Sequence, residues 1–226
     1  MELLVFGHAG AKALVFPTRQ GRFFDYEGWG LVDALSPSIE RGLLQVFCVD
    51  SLDSESLYCR CAPPRARIAR HNQYEQYILQ ELIPFMRKDT ASPFLIAHGC
   101  SIGAYHAVNI ALRHPGLFGK VVALSGRYDL TKPVGPFPDL FDGYYDQDIY
   151  FHTPTHFLPQ WEDPAALQVM RRTEITLAVG EDDYFKDSTE LLSRQLASKA
   201  IPHTLAIWSG EAHRAYHWRQ MVRLYL

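Results

Sequence analysis

Apolar residues along this chain come in short, nearly unbroken runs, separated by longer stretches in which they recur every three or four positions. The runs predict strands at Leu3–Phe6, Ala13–Phe16, Leu43–Val49, Phe94–Ala97, Val121–Leu124, Ile175–Val179 and Thr204–Trp208. Several lack any polar alternation, as strands covered on both faces do. The stretches between them predict helices. Asn72–Lys88 places Tyr74, Tyr77, Ile78, Leu82 and Phe85 on one face, with a kink expected at Pro84. Ile102–His114 is apolar nearly all round, so it is expected to be buried, and it stops at His114-Pro115-Gly116, where proline cannot continue a helix. Ser188–Lys199 carries Leu191, Leu192 and Leu196 at helical spacing, and His213–Leu224 is the last candidate. Strands alternating with helices imply an α/β fold with a mostly parallel central sheet and helices on both faces. The first two strands are close enough in sequence to be antiparallel neighbours. Thr131–Trp161 breaks the pattern, with Pro133, Pro136, Pro138, Pro154 and Pro159 among many aromatics. It is expected to be irregular, ordered by its aromatics, and packed over the edge of a site.

Composition narrows the function classes. The 226 residues suit one domain spanning the whole chain, and 47% hydrophobic with 21% charged residues is ordinary globular composition. A formal net charge of -3 without a long basic run argues against nucleic acid or an anionic membrane as the main partner. No apolar run is long enough to span a bilayer. "MELLVFGHAGAKALVF" alternates as strands do and lacks the basic and apolar regions of a secretory leader. Cys59 and Cys61 are too close for a zinc knuckle, and no second pair completes one. Free thiols at Cys48, Cys59, Cys61 and Cys100 in a reducing cytoplasm are the expectation. No metal cluster or phosphate-binding glycine loop is evident, so neither metal nor cofactor is expected.

The stretch "AHGCSIGAYHA" at 97–107 carries the chemistry. Ser101 lies between Gly99 and Gly103, after the predicted strand "PFLIA" and before a predicted helix. Glycines two residues to either side suit a sharp strand-to-helix turn whose tip holds a nucleophilic serine, because strand and helix approach too closely there for side chains. The bland alternative is a glycine-rich crossover with Ser101 as a helix cap. A serine hydroxyl needs a base, an acid behind that base, and donors for the developing oxyanion. The N–H of Ile102, at the helix start, is one donor candidate. Gly180-Glu181-Asp182-Asp183 follows a late strand, and Asp183 is the preferred orienting acid, with Asp182 as fallback and Glu181 behind it. Ser209-Gly210-Glu211-Ala212-His213 follows the last strand, and His213 is the preferred base, with His217 as rival. Arg127, just past a strand end, is a candidate for an acidic substrate group or a partner of Asp129.

These segments resemble the esterase branch of the α/β-hydrolases, which includes the esterase-D-type S-formylglutathione hydrolases and the mycobacterial mycolyltransferases. The residues that carry the resemblance are "HGCSIGAYHA" at 98–107, "RHPGLFGKVVALSG" at 113–126, "GEDDYF" at 180–185 and "SGEAHRAYHW" at 209–218. The resemblance implies a three-layer α/β-hydrolase sandwich with Ser101 as nucleophile, Asp183 as acid and His213, five residues before Trp218, as base. It implies carboxylic ester or thioester hydrolysis through an acyl-enzyme on a small-molecule substrate. Acyl transfer by the same residues, or a silent scaffold used for binding, are the alternatives. One stretch departs from the family pattern. Where members carry a glycine-containing loop that supplies the second oxyanion donor, this chain reads Phe16-Pro17-Thr18-Arg19-Gln20-Gly21. Pro17 has no N–H, so Thr18 is the expected donor, with Arg19 next. Pocket walls are expected from Thr131–Trp161 and from Arg19–Phe24, with Arg19, Arg127 and Trp218 as substrate-binding candidates.

Overall fold

A computed structural model describes residues 1–88 and 92–226. Seven strands form one sheet: β1 Leu3–Phe6, β2 Ala11–Phe16, β3 Leu44–Val49, β4 Leu95–Cys100, β5 Lys120–Leu124, β6 Glu174–Gly180 and β7 His203–Trp208. Their spatial order is β1-β3-β2-β4-β5-β6-β7, with β1 antiparallel to β3 and every other pair parallel. The expected pairing of the first two strands is therefore corrected, because β3 lies between them. The turn that joins β1 to β2 passes tightly over the start of β3. A Cβ on Gly7 would meet the Leu44 carbonyl at 2.8 Å, and one on Gly10 would meet Leu43 backbone at 2.1 Å. The crossing leaves a gap one strand wide, which β3 fills.

Helices cover both faces, with α1 Asp25–Gly28 and α8 Pro164–Met170 as short pieces beside the longer ones. On one side α3 Pro64–Tyr77, α5 Ile102–Arg113 and α9 Lys186–Ser198 build the larger core with Phe47, Ile78, Val108, Leu177 and Leu192. On the other, α2 Leu31–Glu40 and α10 Ala215–Tyr225 pack together over Val15, Val46, Val122 and Ala178. Every residue of α5 from Ile102 to Leu112 is buried, as its all-round apolar pattern predicts. Burying large apolar side chains contributes about 1.5–3 kcal/mol each, so the two faces supply the main stabilisation.

Helix boundaries differ from the periodicity where polar residues are buried. The helix expected at Asn72–Lys88 begins at Pro64, because α3 buries Arg67, His71 and Glu75 and so carries no apolar stripe. It widens into a π-helical turn at Ile78–Leu82, then continues as α4 Ile83–Met86. The wide turn falls just before Pro84, whose missing N–H breaks the regular ladder. Helix α2 escapes the periodic reading because Gly28 and Gly30 precede it and Pro37 sits inside it. The 131–161 excursion holds two short helices, α6 Gln147–Phe151 and α7 Pro154–Phe157, and a 3₁₀ turn at Leu158–Gln160. Leu140, Phe141 and Ile149 from it join Leu57, Ile68, Ile102 and Tyr105 in a third, smaller core. All four cysteines are free thiols, and among the described residues no helix is long and apolar enough to cross a membrane.

Candidate active site

The turn between β4 and α5 is strained where the glycine spacing predicts it. Ser101 has φ 58° and ψ -121°, an unfavourable conformation for a non-glycine residue. The flanking glycines make it possible. A Cβ on Gly99 would lie 2.3 Å from the Gly103 carbonyl carbon, and one on Gly103 would lie 2.3 Å from the Phe16 carbonyl oxygen. Pairing of Phe16 with Gly99 brings the end of β2 alongside this turn. The Ser101 N–H donates to the Leu124 carbonyl at 2.8 Å, which pins the turn to β5.

His213 and Asp183 meet from two other loops. Nδ1 of His213 donates to Oδ2 of Asp183 at 2.9 Å. The carboxylate is nearly fully buried, and its Oδ1 accepts the Phe185 N–H at 3.0 Å. With Nδ1 protonated toward Asp183, Nε2 of His213 is the acceptor nitrogen. Phe185 lies edge-on to the imidazole at 5.4 Å and Trp218 at 5.3 Å, so two rings brace it. The Trp218 indole is itself fixed by donating to Ser125 Oγ at 3.1 Å. Trp218 therefore buttresses His213 as well as lining the site.

Ser101, Ile102, Thr18, Arg19, Arg127, His213 and Trp218 all line one cavity of about 640 Å³. Asp183 sits behind His213 rather than on the cavity wall. Among the described residues Ser101 Oγ makes no hydrogen bond to His213, although both border the same cavity. The Ile102 and Thr18 N–H groups have no acceptor among the described residues. His217, Asp182 and Glu181 do not line the cavity. Glu181 instead accepts from Ser209 Oγ and the Gly210 N–H, tying together the loops after β6 and β7.

Two expectations change. Arg127 does not pair with the Asp129 carboxylate: Nε donates to the Asp129 carbonyl, and Nη2 donates to those of Lys132 and Pro138. It holds down the start of the excursion, while burial pulls its guanidinium pKa below the usual value. The excursion contributes only Phe137 to the wall, and of Arg19–Phe24 only Arg19 reaches it. In the excursion Leu140, Phe141, Ile149, Phe157 and Leu158 go to packing, whereas its Tyr145 and Phe151, and Phe24 of the other segment, are exposed. Trp29, Tyr58, Phe185, Arg214, Ala215, Tyr216 and Arg219 complete the lining and were not singled out as wall residues, although Phe185 and 214–216 lie within the quoted motifs. A positional signal would have found them. Every lining residue follows the carboxyl end of β2, β3, β4, β5, β6 or β7, the edge where open parallel sheets bind ligands. Among the described residues no group of His, Cys, Asp and Glu is arranged to hold a metal ion.

Comparison with known proteins agrees with this architecture. A family model described as "Putative esterase" matches residues 53–222. Among solved structures, a ferulic acid esterase superposes with a TM-score of 0.74 at 14% identity, covering 96% of this chain and 83% of that one. An S-formylglutathione hydrolase from Agrobacterium tumefaciens gives 0.73 at 15% identity, covering 98% and 86%. Mycobacterium tuberculosis MPT51 gives 0.69 at 12% identity, covering 98% and 89%. No curated protein sequence matches the chain. The structural likenesses establish the α/β-hydrolase fold, and the family match spans three quarters of the sequence. This chain belongs to that esterase family and is a carboxylic ester hydrolase.

Proposed function

We propose that the whole chain, 1–226, works as one domain that hydrolyses carboxylic esters, and thioesters by the same route, through an acyl-enzyme on Ser101. His213 Nε2 takes the proton from Ser101 Oγ as the oxygen attacks the ester carbonyl. The same nitrogen then delivers that proton to the departing alcohol or thiol. A water molecule, deprotonated by His213, releases the acid and restores the serine. Asp183 holds the imidazole in the tautomer that leaves Nε2 free and stabilises the imidazolium formed at each proton transfer. The Ile102 and Thr18 N–H groups receive the oxyanion, and the loss of one such donor typically costs ~10²–10³ in turnover.

The observation that carries this reading is the meeting, on one cavity, of a serine held at φ 58° with an imidazole hydrogen-bonded to a buried carboxylate. The neighbours' own names, ferulic acid esterase and S-formylglutathione hydrolase, support including both ester and thioester chemistry. Treatment with a fluorophosphonate followed by peptide mass spectrometry tests it. The adduct is expected on Ser101, absent in Ser101→Ala and strongly reduced in His213→Ala. Folded protein that takes no label overturns the reading.

A further inference from the structure

The cavity at Ser101 carries a charge that the ester chemistry alone does not require. Arg19, Arg127, Arg214 and Arg219 line it, and among its described lining residues there is no aspartate or glutamate. The chain as a whole has a formal net charge of -3, so the sign is locally reversed. Structural duties account for only part of this. Arg127 engages three backbone carbonyls through Nε and Nη2. Arg219 gives Nη1 to the Trp29 carbonyl at 2.7 Å. Arg214 pairs with Glu211 at 3.2 Å, but the side chains are 72% and 48% exposed, so the pair is weak. Arg19 makes no hydrogen bond or ion pair among the described residues, and it lines the same cavity as Tyr58 and Arg127.

Four like charges in one concavity repel one another and focus a positive field, an arrangement that an anionic ligand offsets. The planar guanidinium also presents paired donors that match a carboxylate or phosphate. Trp29, Tyr58, Phe137 and Tyr216 supply flat apolar walls beside these charges. We infer that the substrate is an ester with an aryl or alkyl body and a separate anionic group, carboxylate or phosphate, and that Arg19, Arg214 and Arg219 determine this specificity. The inference rests on the hydrolase reading above and names the substrate class of that site.

Matched esters test it. Phenyl acetate against meta-acetoxybenzoate and meta-acetoxyphenyl phosphate puts the anion on the alcohol side and separates carboxylate from phosphate. Para-nitrophenyl butyrate against mono-para-nitrophenyl glutarate puts a carboxylate on the acyl side. At least one anionic ester should exceed its neutral counterpart in kcat/KM by about ten-fold at low ionic strength, with the gain shrinking as salt screens the field. That ratio should fall toward one in Arg19→Gln and in Arg219→Gln, and more completely with Arg214→Gln added. Arg194→Gln, on the exposed face of α9, should leave the ratio as it was. Ratios at or below one for all anionic esters, or a preference that survives the triple variant, overturn the inference. Fluorophosphonate labelling separates the two ways of failing. Labelled Ser101 with no anionic preference removes the inference and keeps the hydrolase. Unlabelled Ser101 with no ester turnover removes both.

Discussion

Two histidine–carboxylate pairs flank the Ser101 turn, and only one of them has access to a reaction. His213 meets Asp183 at 2.9 Å on the cavity wall. His106 meets Asp53 at 3.3 Å, five residues along α5 from the serine, with side-chain exposures of 3% and 2%. Rings of Phe16, His71, Tyr74 and Tyr105 close around His106. His71 beside it has two ring nitrogens without partners, and burial with the His106 charge lowers its pKa to about 3. Glu75 completes this interior group. Burial alone would raise its carboxyl, but His114, His152 and Arg113 offset that and hold it at about 2. The two pairs share their chemistry and differ in what the other imidazole nitrogen can reach. At His213 that nitrogen borders an open cavity with a serine on it, whereas at His106 the surroundings are packed rings.

The sharpest way to break the comparison is to remove the members of each pair in turn. Ser101→Ala or His213→Ala should reduce kcat for ester hydrolysis by roughly 10⁶-fold, as happens when a nucleophile or its base is lost. His106→Phe should keep kcat/KM within about three-fold while lowering the urea midpoint, since it removes the buried contact to Asp53 and no group on the cavity wall. A His106 variant as inactive as the His213 variant would erase the distinction. Next in size, Asp183→Asn should lower kcat by ~10⁴-fold through the wrong imidazole tautomer. Steady-state kinetics of Asp53→Asn beside it should show no comparable loss. A third measurement probes the oxyanion side. Thr18→Pro removes one N–H and should cost ~10²–10³ in kcat with little change in KM.

The smallest effect concerns pH. His71 at about 3 and His98 at about 4, both lowered by burial, are neutral in the folded chain, whereas the unfolded chain protonates them near 6.5. Between those values the unfolded state binds more protons, so stability falls as pH drops from 6.5. Each contributes a loss of about 2 kcal/mol by pH 5. Glu75 is displaced in the same direction but in a lower window, so its contribution persists at pH 5 and is lost only as pH falls from about 4.5 toward 2. Urea unfolding at pH 7 and pH 5 should show the drop, and His71→Phe, which removes two unpartnered ring nitrogens, should make it shallower. An unchanged slope would place the acid sensitivity elsewhere.

Some of this organisation was legible from residues alone because it is local. Gly99 reports a local backbone approach, to Gly103, whereas Gly103 is needed because β2 ends against it at Phe16. Apolar runs report strands covered on both faces. The order Ser101, Asp183, His213 reports segments that follow three of the strands, β4, β6 and β7. The start of α3 was illegible because it turns Arg67, His71 and Glu75 inward, and their burial depends on partners far along the chain, such as Arg113 and His152 for Glu75.

The sequence by itself determined the strained turn, the alternation of strands and helices and the residue types able to do ester chemistry, because each is a short-range consequence of sterics or hydropathy. Only the tertiary structure decided that β3 lies between β1 and β2, that Arg127 clamps backbone, and that four arginines share the wall of the Ser101 cavity. Those outcomes depend on which strand ends become neighbours in space, and spacing along the chain carries no distance between loops that the sheet brings together.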